Sequence, residues 1–194
     1  ACPCGSGKKY KFCCRERDRE VLRPTDGSSL EGFESVQRLI DRGCALLDQR
    51  RYEQAIGVFE EVVRRAPHHA RGYTNLALAR FHQGQTVRAL EHARHVVAKL
   101  EPENVFALGS IVHYAMILGF EDEARAAAEA LKKIRAPDPG AHFKQVEAFA
   151  RLRWHDEILR TASRVHEAPD GVREDLYFYL GVAAASVGRY GEAL

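Results

Sequence analysis

Apolar and small residues recur along most of the chain at the spacing of one helix face. Leu39, Gly43 and Leu46 lie three or four residues apart. The same spacing returns in three later stretches, at Tyr73, Leu76 and Ala77, at Leu108, Ile111 and Ala115, and at Tyr177, Leu180 and Gly181. Because residues three and four apart share one face of a helix, this pattern predicts a succession of amphipathic helices.

A segment of seven residues repeats at a fixed interval between these helices. It runs from Arg50 to Ile56 in the first copy, and the later copies begin at Gly84, Gly119, Arg153 and Gly188. The intervals between these starts are 34, 35, 34 and 35 residues. A constant period of this length is typical of stacked helical hairpins.

Each copy contains the signals for one helical hairpin. A glycine, or the arginine that replaces it, stands where a left-handed residue ends a first helix. A small alanine follows, with Ile158 in the fourth copy, and it permits the close approach of a second helix. A proline then breaks each second helix before the next unit begins, at Pro67, Pro102, Pro137 and Pro169.

The period, the small-residue positions and the closing prolines resemble the tetratricopeptide repeat over residues 33–194, or about four and a half copies. This resemblance implies an all-α fold, a right-handed superhelical solenoid of helical hairpins. The fifth copy has a first helix, expected at about residues 174–187, but it stops at Leu194 inside its second helix. We therefore expect a chain truncated at its C-terminus, with that first helix as an unfinished cap.

The cysteines are concentrated at the start of the chain. Four of the five lie within the first 14 residues, at Cys2, Cys4, Cys13 and Cys14. Secreted disulfide scaffolds spread their cysteines through the fold, whereas a tight cluster favours metal binding, and four thiolates suit tetrahedral zinc. Two alternatives are less favoured: free thiols in a disordered tail, and a disulfide, because adjacent cysteines rarely bridge each other.

Residues 1–14 closely match the SEC-C motif, the zinc-binding tail of the bacterial translocase ATPase SecA. The resemblance implies one structural zinc ion held by Cys2, Cys4, Cys13 and Cys14, and the sequence leaves iron open as the metal. In SecA the motif contacts the chaperone SecB and the ribosome. The resemblance therefore also implies docking to a chaperone, translocation or ribosomal partner. The candidate contact surface consists of Lys8, Lys9, Tyr10 and Lys11.

We call the four-cysteine segment, residues 1–14, the zinc knuckle. The residues that follow it carry alternating charges, as a solvated helix would. Residues 8–23 contain seven basic and three acidic side chains, and four thiolates with one divalent ion leave a charge of about +2. A basic face of this kind has two interpretations. It either binds ribosomal RNA or an acidic protein surface, or it is only solvated. Proline and glycine mark a linker, so the predicted parts are residues 1–23 (zinc knuckle and short basic helix), 24–32 (linker) and 33–194 (repeats).

In proteins with this repeat, the first helix of each hairpin lines a concave groove that binds proteins or peptides. The resemblance places the following residues on that groove: Arg71, Asn75, Leu78, His82, Ser110, His113, Lys144 and Glu147, with Gln37, Asp41, Asp48 and Phe106 around them. Asn75 is the best single candidate, because its amide both donates and accepts hydrogen bonds. One subfamily clamps C-terminal carboxylates, but of its five positions only Asn75 fits here.

Bulk properties and the lack of catalytic motifs narrow the function. The formal charge of +2 is close to neutral, and the sequence has neither a run of ~20 apolar residues nor a signal peptide. No His-Glu-x-x-His pattern or nucleophile elbow occurs. The sequence therefore predicts a non-catalytic adaptor in the bacterial cytoplasm. The alternative is a ribosome- or RNA-associated factor that binds nucleic acid through the basic knuckle.

We expect about one zinc ion per chain in protein purified without chelator, because four thiolates fill a structural zinc site. Elemental analysis measures this content. The double substitution Cys13→Ser and Cys14→Ser should abolish it, since serine does not replace a thiolate ligand. Cys44→Ser is the matched control and should retain the metal. A metal-free parent protein would contradict the prediction.

Overall fold

The chain is helical throughout the computed structural model, which describes residues 29–188 apart from the side chains of 29–35, 162 and 163. Its nine α-helices in this range are α1 (Ser29–Asp48), α2 (Tyr52–Arg65), α3 (Ala70–His82), α4 (Thr86–His95), α5 (Val105–Leu118), α6 (Glu121–Lys132), α7 (Pro139–Arg151), α8 (His155–Arg160) and α9 (Asp170–Ser186). None of these helices combines the length and the apolar composition that crossing a bilayer needs.

The chain divides into two compact units, Ala1–Pro102 and Glu103–Leu194. Unit 1 contains α1 to α4, and unit 2 contains α5 to α9. The odd-numbered helices are the first helices of the repeat, and the even-numbered ones are the second helices. In unit 1, α1 packs on α2 and α3 on α4; in unit 2, α5 packs on α6 and α7 on α8.

The five turn residues that end the first helices all adopt the left-handed conformation. Their φ angles are 57° at Arg50, 81° at Gly84, 77° at Gly119, 59° at Arg153 and 75° at Gly188. In the first four turns, the next amide donates to the carbonyl five residues back: Arg51 to Leu46, Gln85 to Arg80, Phe120 to Ala115 and Trp154 to Phe149, at 2.8–3.0 Å. These bonds form Schellman motifs. They confirm the turn that the sequence predicts.

Small residues bring the two helices of a hairpin together, as predicted. Ala55, Ala89 and Ala124 are fully buried, and Ile158 is 2% exposed. Gly43 on α1 shows how close the approach is, because a Cβ added there would lie 2.5 Å from the Phe59 ring. A larger residue at position 43 would therefore force α1 and α2 apart.

The fourth hairpin departs from the regular pattern. Its second helix, α8, has six residues and is followed by a 3-10 helix, Ala162–Glu167. The hydroxyl of Thr161 donates to the carbonyl oxygen of Ile158 at 2.7 Å and so occupies a carbonyl group that a longer helix would use. In the second hairpin, α4 passes instead into a π-helical turn, Val96–Leu100.

Two helix starts differ from the sequence-based boundaries. The helix α1 begins at Ser29, inside residues 24–32, the segment that the sequence assigns to a linker. The helix α9 begins at Asp170, before the expected residue 174, because Pro169 at its N-cap has a φ of −64°, which suits a helix start. Residues 1–23 lie outside the described range, and the division into knuckle, linker and repeats stays a prediction.

The face of α1 that carries Arg38 and Arg42, which we call its outer face, is polar. The same face of the later first helices is buried. Arg38 and Arg42 are exposed, whereas the corresponding residues of the later copies are buried: Gly72, Leu76, Ala107, Ile111, Ala141, Gln145, Leu176 and Leu180. In α3 this face packs on α2, and a Cβ at Gly72 would lie 2.8 Å from the Val62 side chain. The described part of α1 thus has the polar outer face of a terminal repeat.

The turn geometry predicts opposite effects for two substitutions. Gly84→Ala should lower the free energy of unfolding by about 1 kcal/mol, because a Cβ there meets no atom within 4 Å and only the left-handed backbone is strained. Arg50→Gly should raise it by a similar amount. Urea unfolding followed by circular dichroism measures both. Gly57→Ala, in an open position inside a helix, should be stabilising, and a destabilising result would contradict the open space around that position.

Candidate functional site

The predicted zinc knuckle lies outside the described residues. This applies to Cys2, Cys4, Cys13 and Cys14, and also to the contact surface Lys8, Lys9, Tyr10 and Lys11. Within residues 29–188, no group of three or more His, Cys, Asp or Glu side chains could hold a metal ion. The candidate metal site therefore stays a prediction from the sequence.

The first helices of unit 1 present a mixed polar surface, which we call the unit 1 surface. It consists of Gln37, Asp41 and Asp48 on α1 and Arg71, Asn75, Leu78 and His82 on α3. The four residues of α3 are four, three and four residues apart, so they form one stripe along the helix. Asn75 is half-buried, whereas Arg71, Leu78 and His82 are exposed.

Contacts inside unit 1 orient several of these side chains. The Asn75 amide donates to Sγ of Cys44 at 3.5 Å and thereby links α3 to α1. Cys44 itself packs against the core of the first hairpin. His82 stacks on Tyr52, with ring centroids 4.9 Å apart and planes 11° apart. The surface is therefore held by its own neighbours while five of its seven residues remain exposed.

The first helices of unit 2 present a surface of different chemistry, which we call the unit 2 surface. Its centre is α7, where Lys144 Nζ lies 3.0 Å from Oε2 of Glu147, and a guanidinium nitrogen of Arg151 lies 2.9 Å from Oε1. Phe106 and Ile117 on α5 and Val182 on α9 are exposed apolar side chains. Both α5 and α9 pack against α7.

Three of the four predicted residues of unit 2 lie at this surface, but Ser110 is buried. Its side chain hydrogen-bonds to Tyr114, which is 2% exposed. Burial raises the pKa of Tyr114 to about 12, although the Ser110 bond acts in the opposite direction. His113 is half-buried. Ser110 therefore supports the surface from beneath instead of facing a ligand.

Arg151 belongs to the unit 2 surface although the sequence interpretation did not include it. It precedes the turn residue Arg153 by two positions, as His82 precedes Gly84 and Asp48 precedes Arg50. The repeat spacing thus contained the signal, and applying it to the fourth copy would have found Arg151. The same rule finds Ile117, two positions before Gly119.

The electrostatics of the unit 2 surface favour ionised side chains. Burial raises the pKa of Glu147, but the charge and hydrogen bond of Lys144 and the hydrogen bond of Arg151 outweigh it and hold the pKa below its usual value. Glu147 is therefore a carboxylate at neutral pH, and it carries one negative charge between two positive ones.

Comparisons with known proteins agree with the helical hairpins. Residues 40–103 match the family model of the tetratricopeptide repeat, and residues 1–16 match that of the SEC-C motif. The crystal structure of TTC0263, a thermophilic TPR protein of Thermus thermophilus, superimposes with a TM-score of 0.57. It is 19% identical, over 81% of this chain and 86% of that one. The described helices have the tetratricopeptide-repeat fold.

A second solved structure supports the same fold. The MamA protein is 19% identical to this chain, with a TM-score of 0.51 over 82% of this chain and 86% of that one. No curated protein matches the chain. At this level of identity the neighbours establish the tetratricopeptide-repeat fold alone. The ligand has to be inferred from the side chains of this chain.

A buried histidine makes the stability of unit 2 dependent on pH. His142 is 1% exposed, and its Nε2 has no hydrogen-bond partner among the described residues. Burial, together with the nearby Arg164, lowers its pKa below 6.5, although Glu167 opposes the shift. Between the folded pKa and ~6.5 the unfolded chain binds more protons, so the contribution of His142 to stability is complete above ~6.5 and declines as the pH falls.

We therefore expect His142→Leu to reduce the loss of stability between pH 7.5 and pH 5.5. Leucine suits the position, because Leu108 occupies the equivalent place in the preceding copy. Urea unfolding at several pH values measures the effect. His68→Leu, at an exposed position, is the control and should leave the pH dependence as it is. Equal pH dependence in the wild type and His142→Leu would contradict the prediction.

Proposed function

We propose that this chain is a non-catalytic adaptor that binds protein or peptide segments on the first helices of its tetratricopeptide repeats. The observation that carries this proposal is the contrast within each hairpin. The faces that join the helices are buried and apolar, whereas three of the four residues in the stripe from Arg71 to His82 on α3 are exposed, and the four differ in chemistry. Such a stripe contributes to recognition without contributing to the hairpin core.

The proposal extends to the shape of the binding surface. In a right-handed superhelical solenoid of such hairpins, the first helices line the concave side. The unit 1 surface and the unit 2 surface would then each present a concave face to ligands. The supporting facts are the match of residues 40–103 to the tetratricopeptide repeat and the fold shared with solved structures.

The zinc knuckle is the second part of the proposal. The match of residues 1–16 to the SEC-C motif supports a structural zinc ion on the four N-terminal cysteines and a second docking surface beside it. So short a segment buries too little apolar area to fold without the metal. Reduced thiolates of this kind suit the cytoplasm, where we place the protein.

Two docking surfaces on one chain act together when both reach the same assembly. The second contact is then intramolecular, and the overall affinity rises above that of either surface. An adaptor of this kind would hold a chaperone, translocation or ribosomal component through the knuckle while the repeats hold a peptide segment. This arrangement explains why a metal knuckle and a repeat array share one chain.

The test compares matched substitutions on first and second helices after selecting binders from a displayed random-peptide library with the intact chain. Leu78→Asp on α3 and Phe106→Asp on α5 should weaken the selected peptides about tenfold or more, because a charge then opposes apolar contact. Their controls are Val87→Asp at the second position of α4 and Phe120→Asp at the start of α6, which are similarly exposed and should have little effect. Fluorescence anisotropy measures the affinities.

Two results would overturn the adaptor proposal. One is a failure to select any peptide with the intact, zinc-loaded chain. The other is equal weakening by the first-helix variants and by their second-helix controls, which would place binding elsewhere. Circular dichroism and thermal unfolding of all four variants separate a loss of binding from a loss of fold.

A further inference from the structure

The charged residues on α7 form a fixed group whose positive members have unused hydrogen-bond donors. Glu147 accepts one hydrogen bond from Lys144 and one from Arg151. An ammonium group has three donors and a guanidinium group has five, so most of their donors are not used by Glu147. We call Lys144 and Arg151 the cation pair.

Packing restrains Lys144, and both members of the cation pair are partly desolvated. A Cβ added to Gly109 on α5 would lie 2.8 Å from Cγ of Lys144, so the lysine side chain lies directly over this glycine. The side chains of Lys144, Glu147 and Arg151 are 21%, 20% and 34% exposed. Side chains that are restrained and partly desolvated lose less entropy and less hydration when they bind an anion.

Apolar side chains border the cation pair on both neighbouring helices. On α5, Phe106 is 44% exposed and Ile117 is 54% exposed, and on α9 Val182 is 45% exposed. Phe106 approaches α7 closely, because a Cβ at Gly140 would lie 3.9 Å from its ring. An acidic group at the cation pair would thus have apolar contacts available on either side.

The local charge favours an anion over a cation. Lys144 and Arg151 contribute two positive charges, and Glu147 contributes one negative charge, which leaves a net charge of +1 on this stripe of α7. Asp175, at the start of α9, lies at the equivalent stripe of the next helix, so the unit 2 surface as a whole is neutral and the positive charge is confined to α7. The unit 1 surface, with Asp41 and Asp48 against Arg71, has a net charge of −1, so the same preference does not apply there.

We propose that the cation pair binds a carboxylate of a peptide segment whose neighbouring side chains are apolar and pack on Phe106, Ile117 and Val182. This inference rests on the proposed function, because it assigns a ligand chemistry to one of its surfaces. Glu147 holds the two cations in place and also competes with the ligand carboxylate for them. The carboxylate belongs to an acidic side chain inside the segment, because apolar contacts are available on both sides of the cation pair. A chain terminus is tested below as the other source.

The test uses three fluorescein-labelled peptides with the intact chain. The first has one glutamate between leucines and an amidated C-terminus, the second has glutamine in place of the glutamate, and the third has glutamine and a free C-terminal carboxylate. We expect the first peptide to bind about tenfold more tightly than the second, since charge-assisted hydrogen bonds are stronger than neutral ones. The third peptide, whose carboxylate is at the chain terminus, should bind more weakly than the first.

Variants of the chain then locate the effect. Lys144→Gln and Arg151→Gln should each remove most of the preference for the carboxylate, whereas Lys144→Arg should retain it. Arg125→Gln is the matched control, because Arg125 is an exposed cation on the second helix α6. Glu147→Gln should increase the affinity severalfold, because it releases both cations from the internal carboxylate. Glu121→Gln, on α6, changes the overall charge equally and should have a much smaller effect.

Three results would overturn the inference. They are binding of the glutamate peptide that is no tighter than binding of the other two, equal weakening by Arg125→Gln and Arg151→Gln, and weaker binding of the glutamate peptide by Glu147→Gln. The adaptor proposal would survive any of these results if library-selected peptides still responded to Leu78→Asp and Phe106→Asp. Loss of both responses would remove the proposed function as well.

Discussion

The left-handed residue at the end of each first helix is the constraint on which the rest of the chain depends. A residue in this conformation ends the helix because the next amide then bonds to the carbonyl five residues back, in place of the helical partner four residues back. The chain then reverses into a second helix. All five turn residues adopt it, at φ angles between 57° and 81°. Two of them, Arg50 and Arg153, are not glycines, so the Schellman bonds and the packing of the hairpins outweigh the backbone cost at these positions.

The reversal decides which side chains are buried and which are left for binding. Once two helices lie antiparallel, the faces toward the partner helix require small or apolar residues, as Ala55 and Gly43 show. The stripe that ends two residues before each turn residue faces away from that contact. Side chains there are under less packing constraint, and they are the ones that vary between units 1 and 2.

Most of the fold could be predicted from the sequence because the period of 34 or 35 residues repeats a local rule. The turns and the buried alanines follow from signals within a few residues of each turn, and the structure confirms them. The 3-10 helix after α8 could not be foreseen, because the contacts that accompany it, such as the bond from the Thr161 hydroxyl to the Ile158 carbonyl oxygen, are seen only in the structure.

The candidate site was predictable in position more than in chemistry. The spacing places Lys144, Glu147 and Arg151 on one stripe, but only their mutual contacts make three separate charges one group.

The two surfaces therefore illustrate how one backbone rule supports different surface chemistries. The unit 1 surface presents an amide, an exposed leucine and a stacked histidine, whereas the unit 2 surface presents a cation pair between apolar side chains. Both occupy the same positions relative to their turn residues, so we expect exchange of the exposed stripe residues to change the proposed ligand without altering the hairpin core. Stability and the proposed specificity would thus be carried by different faces of the same helices, and a substitution on one face should have little direct effect on the other.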